Sequence, residues 1–178
     1  MQDMTRDMVE TGDVLETGDV GVADIEYAVV QTVDPGELYA FYQRQHHETA
    51  ASEEALARML DRASCFVTAR DDGRLIGVAR GVSDGLNGYL AECKLDPAYQ
   101  GPAAVTRIDG RIEHDDRAIA REMATRVLES LRAYGVERIF ALAYGTEVDF
   151  CEALGFKKSG GLVPMQLDAN VPSNVGAD

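Results

Sequence analysis

The stretch EHDDRAIAREMATRVLESLRAYG (113–135) predicts one long helix, and the other elements are assigned around it. Its large apolar residues recur every four positions: Ile119, Met123, Val127 and Leu131. Smaller apolar residues lie beside them, so the helix has a broad apolar face of the kind that packs against a sheet. Gly135 follows the last apolar turn, where a residue in the left-handed conformation commonly ends a helix.

The first turn of this helix, DDRAIA (115–120), allows two interpretations. Phosphate-binding turns carry glycines where this one carries alanines, but the unpaired N–H groups and the positive dipole end of any helix start favour an anion. Alternatively, Asp115 or Asp116 caps a helix whose role is only structural. Both interpretations are compatible with the local sequence.

The chain before the helix predicts one strand, two helices and three further strands. The strand covers 25–33, a helix begins near Pro35, and Ser52 has the position of an N-cap for the second helix. The three strand candidates are 64–70, 74–82 and 88–96, and Asp72-Gly73 predicts a tight hairpin between the first two.

The chain after the helix predicts a strand, a short helix and a last strand. The strand at 137–145 is almost entirely apolar, which is typical of a buried central strand. Thr146 and Asp149 predict a capping box for the short helix, Gly155-Phe156 predicts its end, and 161–169 is the last strand.

This order predicts an α/β fold with a mixed sheet of six to seven strands. The N-terminal half would be antiparallel, the central pair parallel, and about four helices would flank the sheet. We expect an acidic flexible tail at 1–23, one domain at 24–169 and a C-terminal tail at 170–178.

The composition restricts the class of protein. With 31 acidic against 17 basic residues, the net charge of the 178-residue chain is −14, and only three of the basic residues are lysines. Such a surface is halophile-like and makes nonspecific binding to nucleic acid or to an anionic membrane unfavourable. No apolar stretch approaches the roughly 20 residues of a membrane span. The first residues are acidic and contain no apolar core segment, so we expect no secretory signal.

The cysteines and histidines do not suggest a metal site. The three cysteines have no CxxC or Cys/His spacing, which favours reduced thiols and a cytoplasmic location. His46 and His47 are adjacent, and adjacent side chains on a helix diverge by about 100°. We therefore expect no bound metal.

Three segments resemble the GNAT superfamily of N-acetyltransferases, which use acetyl-CoA. LAECKLDPAYQG (90–101) resembles the fourth strand of the family and the turn after it. DDRAIAREM (115–123) resembles the family's pyrophosphate loop, Q/R-x-x-G-x-G/A, and VDFCEALGF (148–156) resembles its xxFYxxLGF helix. The resemblance covers about 25–169. It departs from the family at Asp115, which replaces Gln or Arg, at the alanines, and in an insertion at 102–114.

The resemblance implies that acetyl-CoA is a co-substrate. Its pantetheine arm would lie along 91–95 as an additional strand, and its pyrophosphate would rest on the first turn of the long helix. The implied binding residues are Cys93, Lys94, Leu95, Arg117, Ala118, Ile119, Ala120 and Arg121. If the alignment is shifted, Gln100-Gly101 would belong to the pyrophosphate site instead.

The resemblance also implies catalytic residues. Glu92 lies where several family members carry a carboxylate base, although a surface-facing carboxylate and His114 are alternatives. Cys151 replaces the tyrosine that usually acts as the acid, and it is either an acid or a buried apolar side chain. Tyr144 is a second candidate acid.

The function implied is acyl-CoA-dependent N-acyltransfer, from acetyl-CoA to a primary amine, by direct transfer in a ternary complex. The acceptor would be a small molecule or a peptide, and a homodimer is open. The insertion is a substrate lid, a dimer contact or a surface excursion. The alternative function is a catalytically inactive GNAT-fold sensor of acyl-CoA or a protein-interaction module, because fold alone does not fix function.

Overall fold

The computed structural model describes residues 24–45, 52–100, 117–143 and 147–165. Both tails, the insertion at 102–114, His46, His47, His114, Asp115, Asp116 and Tyr144 lie outside these residues. In chain order the elements are β1 (Glu26–Val30), α1 (Pro35–Gln43), α2 (Glu53–Arg62), β2 (Cys65–Asp71), β3 (Arg74–Ser83), β4 (Asn87–Leu95), a 3-10 turn (Pro97–Tyr99), α3 (Ile119–Ala133), β5 (Arg138–Ala141) and α4 (Val148–Ala153).

The strands form one mixed sheet in the order β1-β2-β3-β4-β5. β1 to β4 are antiparallel, and β4 and β5 are parallel, as the element order predicted. The described residues supply five strands, so the prediction of six to seven is not confirmed. Of the last predicted strand, 161–165 is irregular and 166–169 lies outside the described residues.

Local capping fixes the starts of the first two helices as predicted. Asp34 accepts a hydrogen bond from the N–H of Glu37 at 2.8 Å, and Pro35 occupies the first helical position. Ser52 accepts from the N–H of Ala55 at 3.2 Å.

Residues with positive φ form the predicted hairpin turn and follow the ends of two predicted helices. Asp72 and Gly73 have φ of 47° and 77°, as a type I′ hairpin requires. Gly135 has φ of 78° after α3, and Gly155 has φ of 95° after α4. The N–H of Phe156 donates to the carbonyl of Cys151 at 3.0 Å, which completes the predicted Schellman motif.

The predicted buried strand at 137–145 is wrong in length and position. β5 covers only Arg138–Ala141 and is the last strand of the described sheet. Phe140 is 36% exposed and Leu142 is 85% exposed. An apolar run shows only that a strand is compatible with burial. Whether another element covers the strand depends on segments that are distant in the sequence.

The start of α4 also differs from the prediction. Its N-cap is Glu147, whose side chain makes no capping hydrogen bond, and the predicted cap residue Thr146 lies outside the described residues. The three-residue spacing from Thr146 to Asp149 was therefore not sufficient to locate the helix start.

The sheet separates two apolar cores. One lies against α1 and α2, and the other lies against α3, with residues of α4 packed beside it. All four large apolar residues that predicted the face of α3 are fully buried. Among the described residues, no helix is long and apolar enough to cross a membrane.

Candidate functional site

The parallel pairing of β4 with β5 covers only the first half of β4. It runs from Asn87 opposite Arg138 to Leu90 opposite Ala141. Beyond that point β4 continues to Leu95 and pairs with β3. Within the described residues, 91–95 therefore extends past the end of β5. Such a strand border can accept an extended, amide-bearing chain as an additional strand.

A bulge in β4 changes the direction of its side chains at the same place. Arg80 of β3 lies opposite Glu92, but the next residue, Gly81, lies opposite Leu90, so Ala91 is the extra residue. In a regular strand Leu90 and Glu92 would share a face. Here Leu90 packs in the core under α3, whereas the Glu92 carboxylate meets α1.

Glu92 is nearly buried in a polar group with Tyr42 and Arg80. Its side chain is 10% exposed, which excludes a surface-facing carboxylate. The Tyr42 hydroxyl donates to Oε1 at 2.7 Å, and Arg80 Nε lies 3.5 Å from Oε2. Burial first, and then the Glu92 carboxylate, raise the pKa of Tyr42 far above its ordinary value, so the phenol stays protonated.

The other face of β4 lies against the start of α3. The Cys93 thiol donates to the carbonyl of Ala120 at 3.4 Å, so the strand border and the first turn of the helix adjoin. Lys94 is half-buried, and the side chain of Leu95 is fully buried in the core. Leu95 belongs to the core under α3 and Cys93 packs against that core, so these two side chains share one face of β4.

Gln100 ends the 3-10 turn after β4, and Gly101, its neighbour in the shifted alignment, lies outside the described residues. The side chain of Gln100 is buried, and its Nε2 donates to the carbonyl of Leu95 at 2.5 Å. This amide holds the turn after β4 against the end of the strand. The carbonyl of Leu95 is consequently engaged within the protein.

α3 begins later than the sequence pattern predicted. Its first helical residue is Ile119, which is fully buried, and its N-cap is Ala118, with φ of 55° and ψ of 27°. This left-handed conformation is the one that glycine adopts without strain, and the helix cannot extend back through it. Asp115 and Asp116 precede the N-cap position, so neither is the N-cap residue of α3.

Two arginines lie near this turn. Arg117 and Arg121 are both exposed. Arg121 Nη2 donates to the carbonyl of Ala153 at 3.1 Å, at the end of α4. A guanidinium there interacts favourably with the negative end of the α4 dipole. Arg121 therefore links the start of α3 to the end of α4.

Cys151 lies in a cleft formed mainly by β5, α4 and the chain after α4. The cleft has a volume of about 1020 Å³, and β4 contributes Tyr89 to its lining, but not Glu92. Burial, and then the charge of Glu147, raise the pKa of Cys151 above its ordinary value. The structure thus places Cys151 apart from Glu92, and the thiol is a weaker acid than an exposed cysteine.

Sequence reasoning missed Tyr42 and Arg80. Tyr42 belongs to the buried face of α1, and Arg80 lies inside β3, so a local pattern gives each a structural role. The described residues contain no group of three or more His, Cys, Asp or Glu that could hold a metal ion.

Comparison with known proteins gives matches only among solved structures. No protein-family model and no curated protein matches the chain. A Deinococcus radiodurans protein assigned as an acetyltransferase is 26% identical with a TM-score of 0.56, covering 81% of this chain and 90% of that one. A GNAT-family acetyltransferase of Streptococcus pneumoniae is 17% identical with a TM-score of 0.57, covering 82% and 100%.

An aminoglycoside N-acetyltransferase solved with CoA is 12% identical with a TM-score of 0.59, covering 81% of this chain and 95% of that one. This chain has the GNAT acetyltransferase fold. The GNAT resemblance that three short segments indicated is confirmed. In this GNAT fold, Cys93 and Ala120 meet where β4 passes the end of β5, and Glu92 lies on the opposite face of β4.

Proposed function

We propose that this protein is an acyl-CoA-dependent N-acyltransferase that transfers an acetyl group from acetyl-CoA to a primary amine within a ternary complex. The observation that carries the proposal is the extension of β4 past β5, beside the first turn of α3, in a GNAT fold. The CoA complex of a protein with the same fold supports CoA as the acyl carrier.

The residues of this region fit the parts of acetyl-CoA. The backbone at 91–95 would pair with the amides of the pantetheine arm, and one N–H there would stabilise negative charge on the thioester oxygen. The pyrophosphate would rest at the start of α3, where Ala118 already has the conformation of a glycine in a phosphate-binding turn. Arg117 and Arg121 would supply positive charge.

Glu92 is the proposed base, because it is a carboxylate held at the strand that would bind the thioester. The amine must lose a proton as its nitrogen forms a bond to the thioester carbon. The carboxylate accepts that proton, the carbon–sulfur bond breaks, and the CoA thiolate takes up a proton from an acid or from solvent. The products are an amide and CoA thiol.

The acceptor class follows from charge. A protein with a net charge of −14 attracts cationic amines, whether small molecules or lysine-bearing peptides. The fold shared with an aminoglycoside N-acetyltransferase supports small polyamine-like acceptors. None of the three cysteines forms a disulfide, which fits a reducing compartment such as the cytoplasm.

Two measurements in molar salt test the proposal. Acetyl-CoA should raise the Tm of the full chain, because a ligand that binds only the folded state stabilises it. A panel of primary amines should then release CoA thiol from acetyl-CoA, with the product amide detected by mass spectrometry. Absence of any thermal shift with acetyl-, propionyl- and succinyl-CoA would remove the proposal.

A sensor that binds acyl-CoA without transferring it is the second candidate. The raised pKa of Cys151, at the position of the family's acid, favours it, because a weaker acid is less able to protonate the leaving thiolate. A thermal shift without thiol release for any amine would establish this candidate in place of the enzyme.

A further inference from the structure

We infer that Tyr42 of α1 and Arg80 of β3 position the Glu92 carboxylate for proton transfer, with Tyr42 fixing Oε1 and Arg80 facing Oε2. The inference rests on the proposed function. It gives roles to two residues that lie outside the three segments resembling the GNAT family.

The bulge at Ala91 makes this arrangement possible. Without the bulge, in a regular strand, Glu92 would follow Leu90 onto the face that packs under α3, where the core is apolar. With it, the carboxylate reaches the α1 face, where a hydroxyl and a guanidinium are available. Bulges commonly redirect a side chain next to an active site.

The Tyr42 hydroxyl donates to one oxygen of the carboxylate from a buried position. The residue is only 3% exposed, and its hydroxyl donates to Oε1 at 2.7 Å. The raised pKa of Tyr42 keeps the phenol protonated across the range in which an acyltransferase works. Because Oε1 already accepts a hydrogen bond and Oε2 accepts none from the described residues, we assign Oε2 as the oxygen that receives the proton of the amine.

Arg80 faces that second oxygen without saturating it. Its Nε is buried, lies 3.5 Å from Oε2 and has no hydrogen-bond partner among the described residues. A guanidinium at this range offsets the cost of burying the carboxylate charge. A buried donor without an acceptor is itself unfavourable, so the guanidinium acts on Oε2 through its charge and leaves the lone pairs of that oxygen available.

The proton balance of this arrangement is simple. The proton that leaves the nitrogen goes to Oε2, and Tyr42 donates the same hydrogen bond to Oε1 before and after transfer. The charged group facing the carboxylate is Arg80 from β3, and Tyr42 is the titratable group that α1 contributes. Lys94 lies two residues further along β4.

A double-mutant cycle on kcat tests the inference. Y42F, E92Q and the double variant are compared with wild type, using the amine that releases CoA fastest. Y42F should lower kcat by about tenfold, because a hydrogen bond to a charged group is lost, and should leave the KM for acetyl-CoA unchanged. In the E92Q background, Y42F should have no further effect, since Tyr42 acts through Glu92.

Tyr39 provides the matched control, because it also lies on α1 and packs against the same core. Y39F should leave kcat unchanged in both backgrounds. R80M should lower kcat as Y42F does, and R80K should restore part of the loss, because the positive charge returns. Chemical denaturation of each variant verifies that it is folded.

The outcomes separate the inference from the proposed function. If wild type releases no CoA with any amine, the proposed function fails, and the positioning roles fail with it. A second outcome is that wild type is active and E92Q has a reduced kcat. If Y42F then leaves kcat unchanged, as Y39F does, or lowers kcat further in the E92Q background, only the positioning role is wrong. Failure of R80K to recover activity over R80M would remove Arg80 from the inference.

Discussion

Ala118, at the start of α3, has a left-handed backbone conformation. It is one of two non-glycine residues with positive φ among the described residues, and the other, Asp72, lies in a hairpin turn. An L-residue other than Gly, Asn or Asp pays about 1–2 kcal/mol in the left-handed region. The strain is therefore located at the turn where the resemblance expects a glycine to hold a pyrophosphate.

Replacing Ala118 with glycine should relieve this strain. A118G should raise the free energy of unfolding by about 0.5–1 kcal/mol, because the gain in the left-handed conformation exceeds the added freedom of the unfolded chain. It should also tighten acetyl-CoA binding, since the Cβ no longer stands at the start of α3. Denaturant unfolding and calorimetric titration measure the two effects.

D72G is the control for the binding effect, because it changes the other residue of the same conformation at the β2–β3 hairpin. It should leave acetyl-CoA affinity unchanged. If A118G bound acetyl-CoA no more tightly than wild type, the left-handed turn would not be part of the pyrophosphate site.

A substitution at Glu92 should impair catalysis and leave acetyl-CoA binding intact. E92Q keeps an oxygen that accepts from Tyr42 but loses the ability to take a proton, so kcat/KM should fall about 100-fold. The Tm increase produced by acetyl-CoA should remain. E129Q is the control, because Glu129 is exposed on α3. Loss of the acetyl-CoA thermal shift in E92Q would assign Glu92 to binding instead of catalysis.

At the scale of elements, α3 approaches β3 closely because two glycines face it. A Cβ added at Gly81 would lie 2.7 Å from Cys65 Sγ and 2.9 Å from Val127 Cγ1. At Gly77 the nearest atoms belong to the flexible end of Met123. The position of α3, and with it the distance from its first turn to β4, therefore depends on Gly81 more than on Gly77.

G81A should destabilise the protein by about 1–3 kcal/mol, because the branched Val127 cannot yield without a shift of α3. G77A should cost less, since Met123 can repack. G160A is the control, because nothing lies within 4 Å of a Cβ added there and its φ is not positive. Denaturant midpoints give all three values, and equal midpoints for G81A and G160A would contradict the close approach.

At the scale of the whole molecule, charge is the dominant feature. The excess of acidic over basic residues is 31 − 17 = 14. Like charges distributed over one domain repel each other in the folded state more than in the expanded chain. The range of this repulsion falls from about 10 Å at 0.1 M salt to about 3 Å at 1 M.

The Tm should therefore rise as KCl increases from dilute to molar concentrations. A D61N/E129Q variant, which removes two exposed negative charges from α2 and α3, should be less sensitive to salt. Differential scanning calorimetry across the KCl series measures both slopes. A Tm that falls with salt would contradict the halophile-like interpretation of the surface.

The elements of this fold could be predicted from the sequence because their signals are local. Asp34 and Ser52 cap their helices, Asp72-Gly73 forms the turn and Gly155 closes α4, each by contacts within a few residues. The apolar repeat of α3 likewise fixed its buried face. Together with the order of the elements, these signals predicted the α/β fold, and the three segments at 90–101, 115–123 and 148–156 carried the resemblance to the GNAT family.

The candidate site depended on tertiary structure. Tyr42 and Glu92 are fifty positions apart, and they meet only because α1 packs on the sheet where a bulge turns Glu92 towards it. The exposure of β5 was likewise decided by which chain segments lie beside it. Caps, turns and periodicity depend on neighbouring residues and can be read locally. The orientation of a strand residue after a bulge, and the side chain that meets it, depend on how whole elements pack.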